Sequence, residues 1–270
     1  MQKLSTLPAP VLAGVVKEKT VSAAKAEIQN CIYSGAAMID LHLPQLECSD
    51  VSSLKKIIAF SKLPILALNY QSYDWEDQAA AEEDRVASLL RAVEAGARGI
   101  DLQGYTYHLP SKQGYCGEAE YSFTQGNPKE VVTDPAIIAK QCALIEKVHA
   151  MGAEVLLSCH PGVPMTAEQV VELALFLEER KPDLLKIVTV ATNEEELAES
   201  FRAMVLLKKA VQTPVTYHAA GRAGALSRIV NPILGGHIAF CVDRFKENSV
   251  LEQIDLKTAK IILDHMERLL

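Results

Sequence analysis

One lysine stands inside an otherwise apolar run. In "PDLLKIVTVAT" (182–192), Lys186 is surrounded by Leu184, Leu185, Ile187, Val188 and Val190. An unpaired ammonium buried in such a run is very costly. Three answers are open. Lys186 pairs with a buried carboxylate, it snorkels outward past the strand, or it is a neutral amine of the kind that attacks carbonyl carbons and forms imines. A histidine, His160, ends an earlier run, "AEVLLSCH" (153–160). More polar residues sit late in other apolar runs: Asp40 and His42, Asn69 and Gln71, Asp101 and Gln103, and His218, with Arg222 and Arg228 shortly after it.

The elements that must position these residues alternate along the chain. Short aliphatic runs predict strands over 10–17, 36–43, 64–71, 98–105, 153–160, 184–191, 213–220 and 235–242. Stretches of helical period predict helices over 22–34, 51–61, 82–95, 134–151, 166–180, 193–210 and 256–270. Ser22 is the expected N-cap of the first helix. Pro135 suits a first helical position, and Thr166 with Gln169 forms a capping-box pattern. Gly96 stands where a helix should stop. Residues 106–133 are irregular, rich in glycine and aromatics, and read as one long loop.

Eight βα units in 270 residues predict one α/β domain, residues 1–270, closed as a (β/α)8 TIM barrel. An open dinucleotide-binding sheet is disfavoured, because no G-x-G-x-x-G follows the first strand. A barrel gathers its chemistry at the carboxyl ends of its strands. The polar residues above therefore converge. Alternation puts Asp40 with His42 on one face, Asp101 with Gln103 on another, and Lys186 with Val188 and Val190 on a third. Plainer roles compete: Asp40 or Asp101 as ion-pair partner of Lys186, His42 and His218 as structural residues, and Asp84–Arg85 and Glu194–Glu196 as solvated helix faces.

Composition narrows the function. Hydrophobic residues make up 49% of the chain, enough for a large core, and the net charge of -7 offers no basic stripe for nucleic acid. Six scattered cysteines include no C-x-x-C pair, so neither a zinc site nor a disulfide framework is expected. The first residues have neither signal-peptide grammar nor the length of a membrane span. A cytoplasmic protein acting on a small molecule is expected, without nucleic acid or membrane. A homodimer is left open.

The segment "VLLSCHPGVPMTAEQVVELALFLEERKPDLLKIVTVA" resembles the type I 3-dehydroquinate dehydratases, in which a histidine ends strand five and a lysine lies on strand six. "PVTYHAAGRAGALSRIVNPILGGHIAF" continues the resemblance with its Ser-Arg pair, and "GAAMIDLHLPQL" stands where that family carries its second-strand carboxylate and arginine. The resemblance implies that Lys186 forms an imine with a ring ketone. It implies that His160 moves protons, that water is lost from 3-dehydroquinate to give 3-dehydroshikimate in aromatic amino acid biosynthesis, and that no metal or cofactor takes part. It also implies site residues: Lys186, His160 and Gln103 as catalytic, with Asp40, His42, Tyr70 and Arg228 as substrate-binding.

Departures accompany it. The family's Glu-x-Arg is Asp40-Leu41-His42, a strand-three arginine is replaced by Tyr70 or Gln71, and the carboxylate steering the histidine is Gln103. The family's short closing loop is missing from "DRFKENSVLEQIDLK". Two alternatives therefore stand beside the dehydratase: a Schiff-base lyase or aldolase for another keto or aldehyde substrate, and a non-catalytic metabolite-binding barrel.

Overall fold

A computed structural model describes residues 2–70, 78–108, 131–246 and 252–267. Eight parallel strands stand side by side: β1 (Val11–Val16), β2 (Met38–His42), β3 (Ile65–Leu68), β4 (Gly99–Gln103), β5 (Glu154–Cys159), β6 (Leu184–Val190), β7 (Val215–Ala220) and β8 (Ile238–Cys241). Neighbours follow chain order, and β8 pairs with β1. The β7–β8 seam is closed by single bonds instead of a ladder. The His237 N–H donates to the Val215 carbonyl at 2.8 Å, and the Ile238 N–H to the Thr216 hydroxyl at 2.9 Å. The architecture is the expected (β/α)8 barrel. Most of the long 106–133 stretch, and Gln71, lie outside the described residues.

The helices are α1 (Val21–Tyr33), α2 (Val51–Ile58), α3 (Gln78–Glu94), α4 (Pro135–Ala150), α5 (Ala167–Glu178), α6 (Glu194–Ala210), α7 (Ser227–Leu234) and α8 (Leu256–Glu267). Local chemistry explains their ends. Asp134 caps α4 with Pro135 at its first position, and the Thr166–Gln169 capping box of α5 is complete. Gly96 takes the left-handed backbone that ends α3, at φ 106°. The cap of α1 is Thr20, not Ser22: its hydroxyl accepts the Ala23 N–H at 3.2 Å. Helix α7 was not anticipated, because it is short and carries Pro232 inside it. Among the described residues no helix is long and apolar enough to cross a membrane.

The core has two compartments. The larger lies between strands and helices. The smaller fills the barrel itself with Val11, Ala13, Val15, Met38, Leu66, Leu156, Leu184, Ile238 and Phe240, the inward set of alternating strand positions. A short 3-10 turn, Leu4–Thr6, plugs the amino end. Leu4 N–H and the Ser5 hydroxyl donate to the buried Glu154 carboxylate at the start of β5, and the His237 imidazole bonds the Leu4 carbonyl at 3.0 Å. The apolar filling is thus concentrated at one end, and the inward polar residues lie at the other.

One expectation for α3 is overturned. Arg85 is not on a solvated face; it is 2% exposed. Its Nε and Nη2 donate to Glu82 at 2.7 and 2.9 Å, its Nη1 to the Asn69 carbonyl at 2.7 Å, and its Nη2 also to the Thr106 hydroxyl at 2.8 Å. Glu82 in turn accepts the Tyr107 N–H at 2.8 Å. This buried pair supplies hydrogen-bond partners to backbone beyond β3 and β4 that the strand ladders do not reach. Asp84 is exposed as expected. Replacing Arg85 with Met leaves the Glu82 carboxylate buried without its counter-charge. The loss of stability should be about 3–5 kcal/mol, read from the midpoint of urea denaturation. A cost within the ±0.5 kcal/mol typical of surface substitutions would show that the pair contributes nothing.

Candidate active site

Register builds the site. Gln103, Ser158 and Lys186 are aligned across β4, β5 and β6, and Asp101 lies two residues before Gln103 on the same face. Lys186 therefore points into the barrel, and the snorkelling answer fails. Its Nζ donates to the Tyr70 hydroxyl at 2.7 Å and to Asp101 Oδ2 at 3.3 Å, and the Tyr70 hydroxyl donates to the same Oδ2 at 2.9 Å. The Nζ also lies 4.6 Å from the Phe240 ring centre and 5.3 Å from that of Tyr70. A buried carboxylate, a phenol and two aromatic faces thus compensate the amine. Of the two candidate partners, the carboxylate is Asp101. Its Oδ1 has no hydrogen-bond partner among the described residues.

His160, one residue beyond β5, meets the Tyr70 ring edge-on, with centres 5.3 Å apart at 68°. Tyr70 therefore touches two of the three expected catalytic residues, Lys186 and His160. His218, on β7, is buried in the same space. Burial first, then the charges of Arg228, Lys186 and His160, push its pKa well below the usual 6.5, so it is a neutral imidazole. Gln103 is buried in the wall formed by β4.

The cations are arranged less simply. Asp40 and His42 pair with each other at 3.2 Å. Arg228 is largely buried on α7, with Nη2 3.6 Å from Glu252 Oε2, while Arg222 is exposed. Burial lowers the Arg228 pKa and the Glu252 charge opposes that shift. Sequence reading missed Lys17, the residue after β1. It follows Ala13 and Val15 on the inward alternation, and the pairing of Val16 with Leu41 sets it beside His42. Burial pushes its amine below the usual value, Asp40 opposes the shift, and the Lys186 charge adds to it. The signal was present in "VLAGVVK", an alternating strand that ends on a lysine.

The model of the type I 3-dehydroquinase family matches residues 133–269, the half that carries His160, Lys186, His218 and Arg228. The chain belongs to the type I 3-dehydroquinase family. It is similar to the curated 3-dehydroquinate dehydratase of Aromatoleum aromaticum, at 21% identity over 228 residues, covering 82% of this chain and 76% of that one. The 3-dehydroquinate dehydratase of Desulfotalea psychrophila is 24% identical over 230 residues, covering 82% and 84%. The solved type I 3-dehydroquinate dehydratase of Clostridium difficile, with covalently modified comenic acid, superposes at a TM-score of 0.74 with 15% identity. That match covers 97% of this chain and 94% of the other, and shows a shared fold. The departures at Asp40, His42, Tyr70 or Gln71, and Gln103 precede the matched segment, whereas the missing closing loop falls inside it.

The depressed pKa of His218 has a consequence for stability. Below its ordinary value near 6.5 the unfolded chain binds a proton at this position that the folded chain does not. Stability is therefore fully present above about pH 6.5 and falls as the pH drops towards the folded pKa, by up to about 1.4 kcal/mol per pH unit. His237 is depressed in the same direction by burial and adds to this dependence. Denaturation at stepped pH should show this slope, reduced in His218→Gln. An identical slope in that variant would mean that His218 is accessible to protons in the folded chain.

Proposed function

We propose that the protein is a Schiff-base-forming dehydratase that removes water from 3-dehydroquinate to give 3-dehydroshikimate. Lys186 carries this reading: an inward-facing amine on β6, inside the segment the family model covers, with Tyr70 in contact with both it and His160. Lys186 condenses with the ring ketone. The resulting iminium draws electrons from the adjacent carbon, His160 takes the proton released there, and the same imidazole returns a proton to the departing hydroxyl. Arg228 and Lys17 are the cations we assign to the substrate carboxylate, with the His42 imidazole as a further hydrogen-bonding partner. Asp40 orients His42, and Gln103 lines the wall beside the reacting centre. A cytoplasmic setting is supported by Cys31, Cys48, Cys142, Cys159 and Cys241, all of which are free thiols. Burial pushes the Cys31 and Cys241 thiols up to about 12, which makes them poor nucleophiles.

Incubation with 3-dehydroquinate and borohydride, followed by peptide mass mapping, should place the reduced adduct on Lys186. In His160→Ala the adduct should persist, while elimination slows by about 10²–10⁴-fold. An adduct on another lysine, or none, would remove the mechanism.

Two observations favour a second substrate for the same chemistry. Arg228 already has Glu252 as a counter-charge, and Tyr70, one of the two residues that can stand in place of a family arginine, is bonded to Lys186 and Asp101. A different keto or aldehyde substrate, with less negative charge to hold, suits such a pocket. Wild-type turnover of 3-dehydroquinate with kcat/KM of about 10⁴–10⁸ M⁻¹s⁻¹ supports the first reading. Poor turnover that rises in the His42→Arg, Gln103→Glu double variant supports the second.

A further inference from the structure

We propose that Tyr70 is a catalytic residue: its phenol relays protons between Lys186 Nζ and Asp101, first freeing the amine for attack and then delivering a proton to the oxygen that leaves during imine formation. This rests on the imine reading above and adds a step to it. The hydrogen bonds run in one direction. The Lys186 ammonium donates to the phenol oxygen at 2.7 Å, and the phenol proton is donated to Asp101 Oδ2 at 2.9 Å. The direct contact from Nζ to Asp101 is longer, at 3.3 Å, outside the roughly 2.7–2.9 Å of a well-made charge-assisted bond. The better path from the ammonium to the carboxylate therefore passes through the phenol.

The step balances. A proton moves from Nζ to the phenol oxygen as the phenol proton moves to Asp101, leaving a neutral amine, an unchanged tyrosine and a protonated Asp101. The nitrogen lone pair adds to the carbonyl carbon, and the C–O π pair moves onto oxygen. A second nitrogen proton reaches that oxygen through the phenol, giving the carbinolamine. The proton held on Asp101 then returns through Tyr70 to the hydroxyl. The C–O bond breaks, water departs, and the nitrogen lone pair closes the C=N bond. The nitrogen keeps one hydrogen, so the product is the iminium and Asp101 is again a carboxylate. No oxidant, reductant or further reactant is required.

This divides the proton work. Tyr70 and Asp101 serve the nitrogen, and His160, packed edge-on against the Tyr70 ring, is left for the proton at carbon. The buried setting supports it: Asp101 is fully buried, and its charge is held through Oδ2 while Oδ1 has no hydrogen-bond partner among the described residues. A tyrosine that only positioned Lys186 would share the same distances, so the test must separate the two roles.

Tyr70→Phe removes the hydroxyl and keeps the ring against His160 and Lys186. Imine formation with 3-dehydroquinate is followed by rapid quench into borohydride and quantified on the Lys186 peptide at several pH values. The expected result is an imine-formation rate about 10²–10⁴-fold below wild type, with the same final yield of Lys186 adduct. The wild-type rate should change little between about pH 6 and 8. The variant rate should climb by roughly tenfold per pH unit there, because solvent must then supply the free amine. A wild-type rate in Tyr70→Phe overturns the relay. So does a slower rate with the wild-type pH profile, which marks a positioning role. Failure of the wild type itself to give a Lys186 adduct overturns the imine reading, and the relay with it.

Discussion

The site depends on the compensation of one buried charge. An ammonium inside a barrel of aliphatic side chains is stable only where fixed groups replace the water it has lost. Here Asp101, the Tyr70 hydroxyl and the Phe240 ring do so, and they come from three different strands or strand ends. A closed barrel brings β3, β4, β6 and β8 around one axis, which an open sheet cannot do. The β7–β8 seam bonds at His237 and Ile238 are therefore as relevant to the amine as the residues that touch it.

The two ends of the barrel serve opposite purposes. At the amino end, Leu4 and the inward aliphatic set exclude water, and Glu154 is consumed in capping the plug. At the carboxyl end, the strand termini are held from outside. Arg85 bonds the Asn69 carbonyl and the Ser88 hydroxyl accepts from the Asn69 amide, so α3 fixes the backbone immediately before Tyr70. A buried ion pair that looks like a stability element on a helix therefore also positions a phenol in the site. Its neutralisation by Glu82 keeps the Arg85 charge from reaching the substrate pocket unbalanced.

The cation balance around the pocket marks how this chain departs from the dehydroquinase pattern. Lys17 follows β1, His42 ends β2 and Arg228 lies on α7, and the carboxylates Asp40 and Glu252 accompany them. Such paired charges give a weaker net positive field than a cluster of unpaired arginines would. The Lys186 charge adds to the burial that lowers the Lys17 pKa, and Asp40 opposes both.

Much of the architecture was legible in order and spacing alone. The alternation of short aliphatic runs with helical stretches predicted eight βα units, because strand and helix periods are local properties of a chain. Which residues share a face on β2, β4 and β6 followed from period-two alternation, though not which face points inward, and the places of His160 and Lys186 followed from their positions in their strands. Other features were not legible. Whether Asp40 or Asp101 pairs with Lys186 depends on strand stagger and side-chain reach across the barrel. The burial of Arg85 depends on which backbone carbonyl faces α3. The roles of Lys17 and Tyr70 depend on neighbours far away in sequence, and α7 was masked by its proline and its shortness. Local patterns carry periodicity and capping, and those the sequence determined by itself. The pairing of charges across a closed barrel is a long-range matter of distance and dielectric, and only the tertiary structure decided it.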